Sequence, residues 1–252
     1  MVSGYKLLTG KTAVITGCNR GIGKAVLERF AANGANVFAC ARKENIAFSE
    51  FIDRLSEKYS VRIIPVYFDA ANIDEIKSAV KQIAASKIPV NVLVNNAGTG
   101  YNALFQMSTL DKLKEVFEVN FFGPFIFTQS LTKLMVRQRS GNIINISSTA
   151  GIDGNAGKSV YGASKAALIC MTKVIASELK VFGIRANSIA PGMTNTDMML
   201  CIPREVVAKH IYSGAIKSIG KPSEIADTAI FLASELSANI TGQVIRVDGG
   251  PS

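Results

Sequence analysis

Lys11-Thr12-Ala13-Val14-Ile15-Thr16-Gly17-Cys18-Asn19-Arg20-Gly21-Ile22-Gly23, with the helical pattern that runs on to Asn33, decides how this chain is read. Lys11–Thr16 is a short apolar run of strand length, and Gly21–Asn33 has helical spacing and is stopped by Gly34. Between them, glycines let the backbone turn tightly and approach a pyrophosphate. The helix N-terminus behind them offers free N–H groups and the positive end of its dipole. The spacing is G-x-x-x-G-x-G rather than G-x-G-x-x-G. A glycine turn alone says little; its place after a strand and at the head of a helix gives it meaning.

Outward from this unit the same alternation continues. Strands are expected at Asn36–Ala41, Arg62–Phe68, Val90–Asn95, Asn142–Ser147, Arg185–Ala190 and Gln243–Val247. Helices are expected at Phe48–Tyr59, Ile73–Ala85, Leu110–Gln138, Tyr161–Phe182 and near Ser223–Ser234, with Gly123-Pro124 bending or breaking the long third one. The strands are nearly continuous apolar runs, as parallel strands buried on both faces are. The pattern predicts an α/β fold: a Rossmann-type, doubly wound parallel sheet of about seven strands with helices on both faces. Neither linker nor repeat interrupts residues 1–252, so one domain is expected.

Composition narrows the function classes. Of the 252 residues, 48% are hydrophobic and 19% charged, which describes a folded globule rather than a disordered chain. No apolar run approaches the ~18 residues of a membrane span, and Met1–Gly10 lacks the apolar core of a signal peptide. Cys18, Cys40, Cys170 and Cys201 are scattered without C-x-x-C spacing and read as reduced thiols in a cytoplasm. A net charge of +9 suits anionic ligands such as phosphates. No dense Lys/Arg block and no Trp support nucleic-acid binding.

Two further features carry chemistry. The second strand ends Cys40-Ala41-Arg42-Lys43, with cations where an acidic residue would favour the 2′-hydroxyl of NAD. With Arg20 in the glycine loop, this points to NADP(H); solvated loop residues are the plainer reading of Arg42 and Lys43. Tyr161 and Lys165 stand four residues apart in a helical segment, hence on one face. An ammonium near a phenol lowers its pKa and makes it a usable acid or base near neutral pH.

Together these residues resemble the short-chain dehydrogenase/reductase family. The resemblance rests on Thr16-Gly17-x-x-x-Gly21-Ile22-Gly23, Asn95-Asn96-Ala97-Gly98, Asn120, Ile146-Ser147-Ser148, Tyr161-x-x-x-Lys165, Pro191-Gly192 and Asp248-Gly249-Gly250. Within the family the chain is most similar to the 3-oxoacyl-(acyl-carrier-protein) reductases. The resemblance implies Tyr161 as proton donor, with Lys165 lowering its pKa and holding the nicotinamide ribose. It implies Ser148, or Ser147 as second candidate, on the substrate oxygen, and Asn120 on a water that resupplies protons. Gly17, Cys18, Asn19, Arg20, Gly21, Ile22 and Gly23 would form the cofactor loop. Asp69 and Ala70 would border the adenine, Asn96, Ala97 and Gly98 the groove, and Pro191, Gly192 and Thr194 the carboxamide end. The implied partners are a small carbonyl or alcohol substrate, or an acyl-carrier-protein thioester, and further copies of the chain in a homotetramer or homodimer.

The substrate walls are expected at Asn102–Phe105, at Ile152–Lys158 with its single cation Lys158, and at the Met-rich segment Thr194–Ser213. That last segment holds His210, the only histidine, so a two-His zinc site is impossible and no metal is expected. Cys18 reads either as a thiol facing the cofactor or as an inert core filler. Arg137 and Arg139 are candidates for gripping an acidic carrier protein, whereas Phe182 stands where such reductases often carry a basic residue. A non-catalytic dinucleotide-binding scaffold on the same fold is the rival reading.

Overall fold

The structure, a computed structural model, describes residues 6–201, 205, 207–208 and 215–250. Seven strands form one parallel sheet in the order β3-β2-β1-β4-β5-β6-β7. They are β1 (Thr12–Thr16), β2 (Asn36–Ala41), β3 (Ile63–Tyr67), β4 (Val92–Asn95), β5 (Gly141–Ile146), β6 (Ile184–Pro191) and β7 (Val244–Val247). The expected strands are all present, with ends displaced by two residues at most.

Side chains alternate between two cores. Ala13 and Ile15 of β1 enter one and Val14 the other. The first core is closed by α1 (Gly21–Ala32), α2 (Ile46–Tyr59) and, later in the chain, the helix Pro222–Ala233. The second is closed by α3 (Ile73–Ala85), by the helix Gly123–Gln138 and by the helix Ser159–Leu179. The chain builds outward from β1 to β3, then crosses to β4 on β1's other side. That reversal opens a crevice beyond the C-terminal ends of β1 and β4, where ligands of such sheets bind.

The long helix expected at Leu110–Gln138 is split into α4 (Leu110–Phe117), a π-helical turn (Glu118–Phe122) and α5 (Gly123–Gln138). Pro124 has no N–H to donate and sits in the first turn of α5. Gly123 packs on the chain after β3: a Cβ there would lie 2.1 Å from the Ala70 carbonyl oxygen. The wide turn swings Asn120 fully inward. A short helix absent from the sequence reading, α6 (Ala150–Asp153), follows β5. Next come α7 (Ser159–Leu179), which ends in a 3-10 turn, Lys180–Phe182, and α8 (Pro222–Ala233).

In the run Phe121–Phe125, Gly123 and Pro124 are buried while Phe122 and Phe125 are each 43% exposed. Arg137 and Arg139 do not flank the crevice of their own chain. They lie where α5 ends and β5 begins, at the opposite edge of the sheet, with Arg139 donating to the Val181 carbonyl oxygen. Among the described residues no helix is long and apolar enough to cross a membrane. His210 and Ile202 lie outside the described residues.

Candidate active site

The glycine loop is held against β4 by a small polar lattice. The Thr16 hydroxyl accepts from the N–H groups of Asn96 and Ala97, both at 2.9 Å. The Asn96 amide donates back to the carbonyl oxygens of Thr16 (2.9 Å) and Gly17 (3.3 Å). Asn96 therefore spends its side chain bracing the loop; it shapes the groove through the loop it holds. Gly17 has φ +72, a conformation that favours glycine. Gly23 admits no side chain at all, because a Cβ would lie 2.1 Å from the Gly17 carbonyl oxygen.

Above this lattice the N-terminus of α1 is open. Arg20 caps it without a side-chain hydrogen bond, and the first turn holds no acidic residue. These free N–H groups and the positive dipole end fit a pyrophosphate. Asn19, Arg20, Arg42 and Lys43 are exposed at the rim; Glu44, also exposed, follows them. Arg20 pairs with Asp197 at 3.5 Å, an ion pair between side chains both more than half exposed. Asp69 and Ala70 follow β3, and Asp69 accepts from the Ala71 N–H.

Cys18 corrects one expectation. Its thiol is fully buried, points into the first core and donates to the Ile15 carbonyl oxygen, so only its backbone belongs to the loop. Burial holds that thiol protonated. The filler reading was the right one.

The second half of the site collects at the ends of β5 and α7. Lys165 is 4% exposed and donates to the Ile146 carbonyl oxygen at 3.0 Å. Burial lowers its ammonium to about 8. Its nitrogen lies 5.9 Å from the Tyr161 ring centre. A Cβ on Gly98 would crowd both Asn120 Oδ1 (3.2 Å) and Lys165 Nζ (3.3 Å), which sit on either side of this glycine.

Ser148 and Ser147 part company. Ser147 is buried, donates to the Ile189 carbonyl oxygen and accepts from the Ser188 hydroxyl. Ser148 faces the site, accepts from the Ala150 N–H at 3.2 Å and lies beside the Tyr161 phenol, whose ionised form it favours. In the protein alone, the Tyr161 pKa is raised by burial, with Ser148 acting against the rise. The expected lowering by Lys165 is not seen. The physical reason is that burial takes the proton off Lys165 at about 8, so it carries little charge by the time the phenol ionises.

Asn120 is fully buried and fully used. Its Oδ1 accepts from the Thr99 N–H at 2.8 Å, and its amide donates to the Thr99 carbonyl oxygen and to Ser164 Oγ, both at 3.0 Å. Ser164 in turn donates to the Tyr161 carbonyl oxygen at 2.7 Å. Ser164 and Thr99 were missed as site residues, and Thr16 was read as part of the cofactor loop without its bracing role. Ser164 was legible as the small polar residue one turn after Tyr161.

Two of the segments expected as substrate walls touch each other. The Ala103 N–H donates to the Gly157 carbonyl oxygen at 3.1 Å, joining the loops Asn102–Phe105 and Ile152–Lys158. Gly192 donates to the Val247 carbonyl oxygen, and Pro191 accepts from the Thr149 N–H, which fixes the loop after β6. Thr194 is 8% exposed and donates to the Gly192 carbonyl oxygen. Beyond it, Thr196 lies over Gly21 and Met198 over Gly100, so the segment crosses the crevice. Ile22 stands half-buried in the first turn of α1.

Residues 11–205 match the family model for short chain dehydrogenases. The 3-oxoacyl-(acyl-carrier-protein) reductase FabG of Thermotoga maritima is 38% identical over 96% of this chain and 98% of its own. A crystal structure of a 3-oxoacyl-(acyl-carrier protein) reductase from Brucella melitensis with bound NAD superposes with a TM-score of 0.85 at 32% identity, covering 98% of this chain and 92% of that one. A candidate NAD(P)-dependent gluconate 5-dehydrogenase from Beutenbergia cavernae, with NADP bound at low occupancy, gives 0.92 at 31% identity, covering 98% of each.

Proposed function

Because the chain belongs to the short-chain dehydrogenase family, an oxidoreductase family acting on CH–OH and C=O groups, we propose that it is an NADPH-dependent carbonyl reductase in which Tyr161 supplies the proton. The observation that carries this reading is the convergence of Ser148, Tyr161, Lys165 and Asn120 beside the open N-terminus of α1.

The α1 N-terminus and the glycine loop would hold the pyrophosphate, and Arg42 and Lys43, with Arg20, the 2′-phosphate. Lys165, through Nζ beside Gly98, would hold the ribose hydroxyls. When bound, the nicotinamide supplies hydride to the carbonyl carbon. Tyr161 and Ser148 hydrogen-bond the carbonyl oxygen as negative charge grows there, and Tyr161 gives up its phenolic proton to it. A phenol held protonated by burial starts in the right state for reduction. The phenolate left behind is stabilised by Ser148 and regains a proton along the Lys165–Asn120 side.

The substrate is a small ketone, an oxo acid, a sugar or a 3-oxoacyl thioester, taken between the walls near Gly157 and Met198. Copies of the chain assemble through the face carrying Phe122 and Phe125 as a dimer or tetramer, in the cytoplasm. A screen of NADPH oxidation against acetoacetyl thioesters, ketosugars, quinones and simple ketones tests the reading. It predicts turnover with at least one class, faster with NADPH than with NADH. NADPH binding without turnover of any class would favour the non-catalytic scaffold.

A further inference from the structure

Lys158 is placed where a cation is poorly tolerated. It occupies the N-cap of α7, at the positive end of the helix dipole, and the first turn of α7 holds no acidic residue. It is half-buried, and burial pushes its ammonium below the ordinary lysine range. A second ammonium, that of Lys165, stands on the same tyrosine ring. Among the described residues, compensation comes from the face of Tyr161, whose ring centre is 5.4 Å from Lys158 Nζ. The one carboxylate of the segment, Asp153, is held by both guanidinium nitrogens of Arg246 at 2.6 and 2.9 Å. Among the described residues, no hydrogen bond or ion pair engages the Lys158 ammonium. The contrast is Arg185, also partly buried, whose guanidinium is spent on the carbonyl oxygens of Ile240, Leu232 and Ser234.

The position is also built. Gly154 (φ +66) and Gly157 (φ +75) set the path of the loop, and Ala103 pins Gly157 from the opposite wall. A partly desolvated cation with a set backbone path, no anionic partner among the described residues and a seat on the Tyr161 ring lacks one thing, a negative charge brought by the ligand.

We propose that Lys158 recognises a carboxylate or phosphate a few bonds from the reacting carbonyl, so that the enzyme prefers anionic oxo compounds to neutral ones of the same skeleton. The inference rests on the reading of Tyr161 as proton donor, which fixes where the carbonyl lies. It makes Lys158 a specificity residue that touches substrate and takes no part in the proton transfer.

Two matched substrate pairs test it: acetoacetate against methyl acetoacetate, and dihydroxyacetone phosphate against dihydroxyacetone. In the wild-type protein the anion of at least one pair is preferred in kcat/KM. In Lys158→Met that anion-to-neutral ratio falls by about tenfold or more, the scale of a hydrogen bond to a charged group. The pair that responds tells carboxylate from phosphate. A ratio that stays the same within about threefold in both pairs, well under that scale, overturns the proposal. Calorimetric binding of the same four compounds gives a readout independent of turnover. Absent turnover with anion binding that Lys158→Met abolishes would retain the lysine site and sink the reductase reading. Anions binding no more tightly than their neutral partners overturn the lysine site, whatever the turnover.

Discussion

Asn120 Nδ2 donates to Ser164 Oγ at 3.0 Å, and this one bond ties the π-helical turn to the helix that carries Tyr161 and Lys165. Ser164 passes it on to the Tyr161 carbonyl oxygen. The turn thus braces α7 beside Tyr161 and Lys165. Ser164→Ala leaves a buried Asn120 N–H without its acceptor, which costs about 1–3 kcal/mol of stability. We expect kcat to fall with little change in KM, since the phenol shifts and the substrate walls do not. A fall in KM affinity alone, with kcat intact, would contradict the link.

Gly23→Ala tests the cofactor cradle. A Cβ placed 2.1 Å from the Gly17 carbonyl oxygen and 2.4 Å from Asn96 Nδ2 has no room, so the loop must open. Overpacking of this kind costs about 1–3 kcal/mol, and it falls where the pyrophosphate would sit. NADPH affinity, followed by the cofactor's own fluorescence, should drop by about tenfold or more for a loss of that size. Unchanged affinity would remove the loop from the binding site.

The buried Lys165 makes a prediction about pH. Its ammonium titrates at about 8 in the folded protein against 10.5 ordinarily. The cost of burying the charge is therefore fully present below pH 8 and is relieved as pH rises from 8 towards 10.5, because the unfolded chain then binds more protons. Lys165→Met should abolish turnover yet melt higher than wild type at pH 7. That advantage, at most roughly 3 kcal/mol from a shift of this size, should shrink steadily towards pH 10. A difference in Tm independent of pH would contradict it.

Arg42→Ala tests the choice of cofactor. Arg42 and Lys43 are exposed after β2, with no carboxylate at the strand end itself. Wild type should favour NADPH over NADH in kcat/KM, and the variant should reduce that preference by about tenfold, the value of a charge-assisted hydrogen bond. Equal rates with both cofactors in wild type would refute the reading of Arg20, Arg42 and Lys43.

Most of the sheet was legible because parallel strands buried on both faces announce themselves as apolar runs, and β1 through β7 fell where the runs did. What escaped was the widening at Glu118–Phe122. A π-helical turn keeps helical composition, so periodicity reads straight through it, and only the packing of Gly123 on Ala70 reveals it. The site followed the same rule. The family resemblance placed Ser148, Tyr161 and Lys165 together; Tyr161 and Lys165 share one face of α7, and Ser148 follows β5 by two residues. The direction of the Cys18 side chain and the bracing role of Asn96 depend on which way a loop residue turns, and no pattern encodes that. Arg137 and Arg139 failed as neighbours of the pocket because proximity to β5 in sequence meant its start, whereas the chemistry lies at its end.

The central claim is that Tyr161 delivers the proton. Replacing it with Phe removes one hydroxyl and keeps the ring beneath Lys158 and Lys165. Turnover of NADPH with the preferred carbonyl substrate should be lost while NADPH still binds with near wild-type affinity. Turnover retained by Tyr161→Phe at near wild-type kcat would contradict the account.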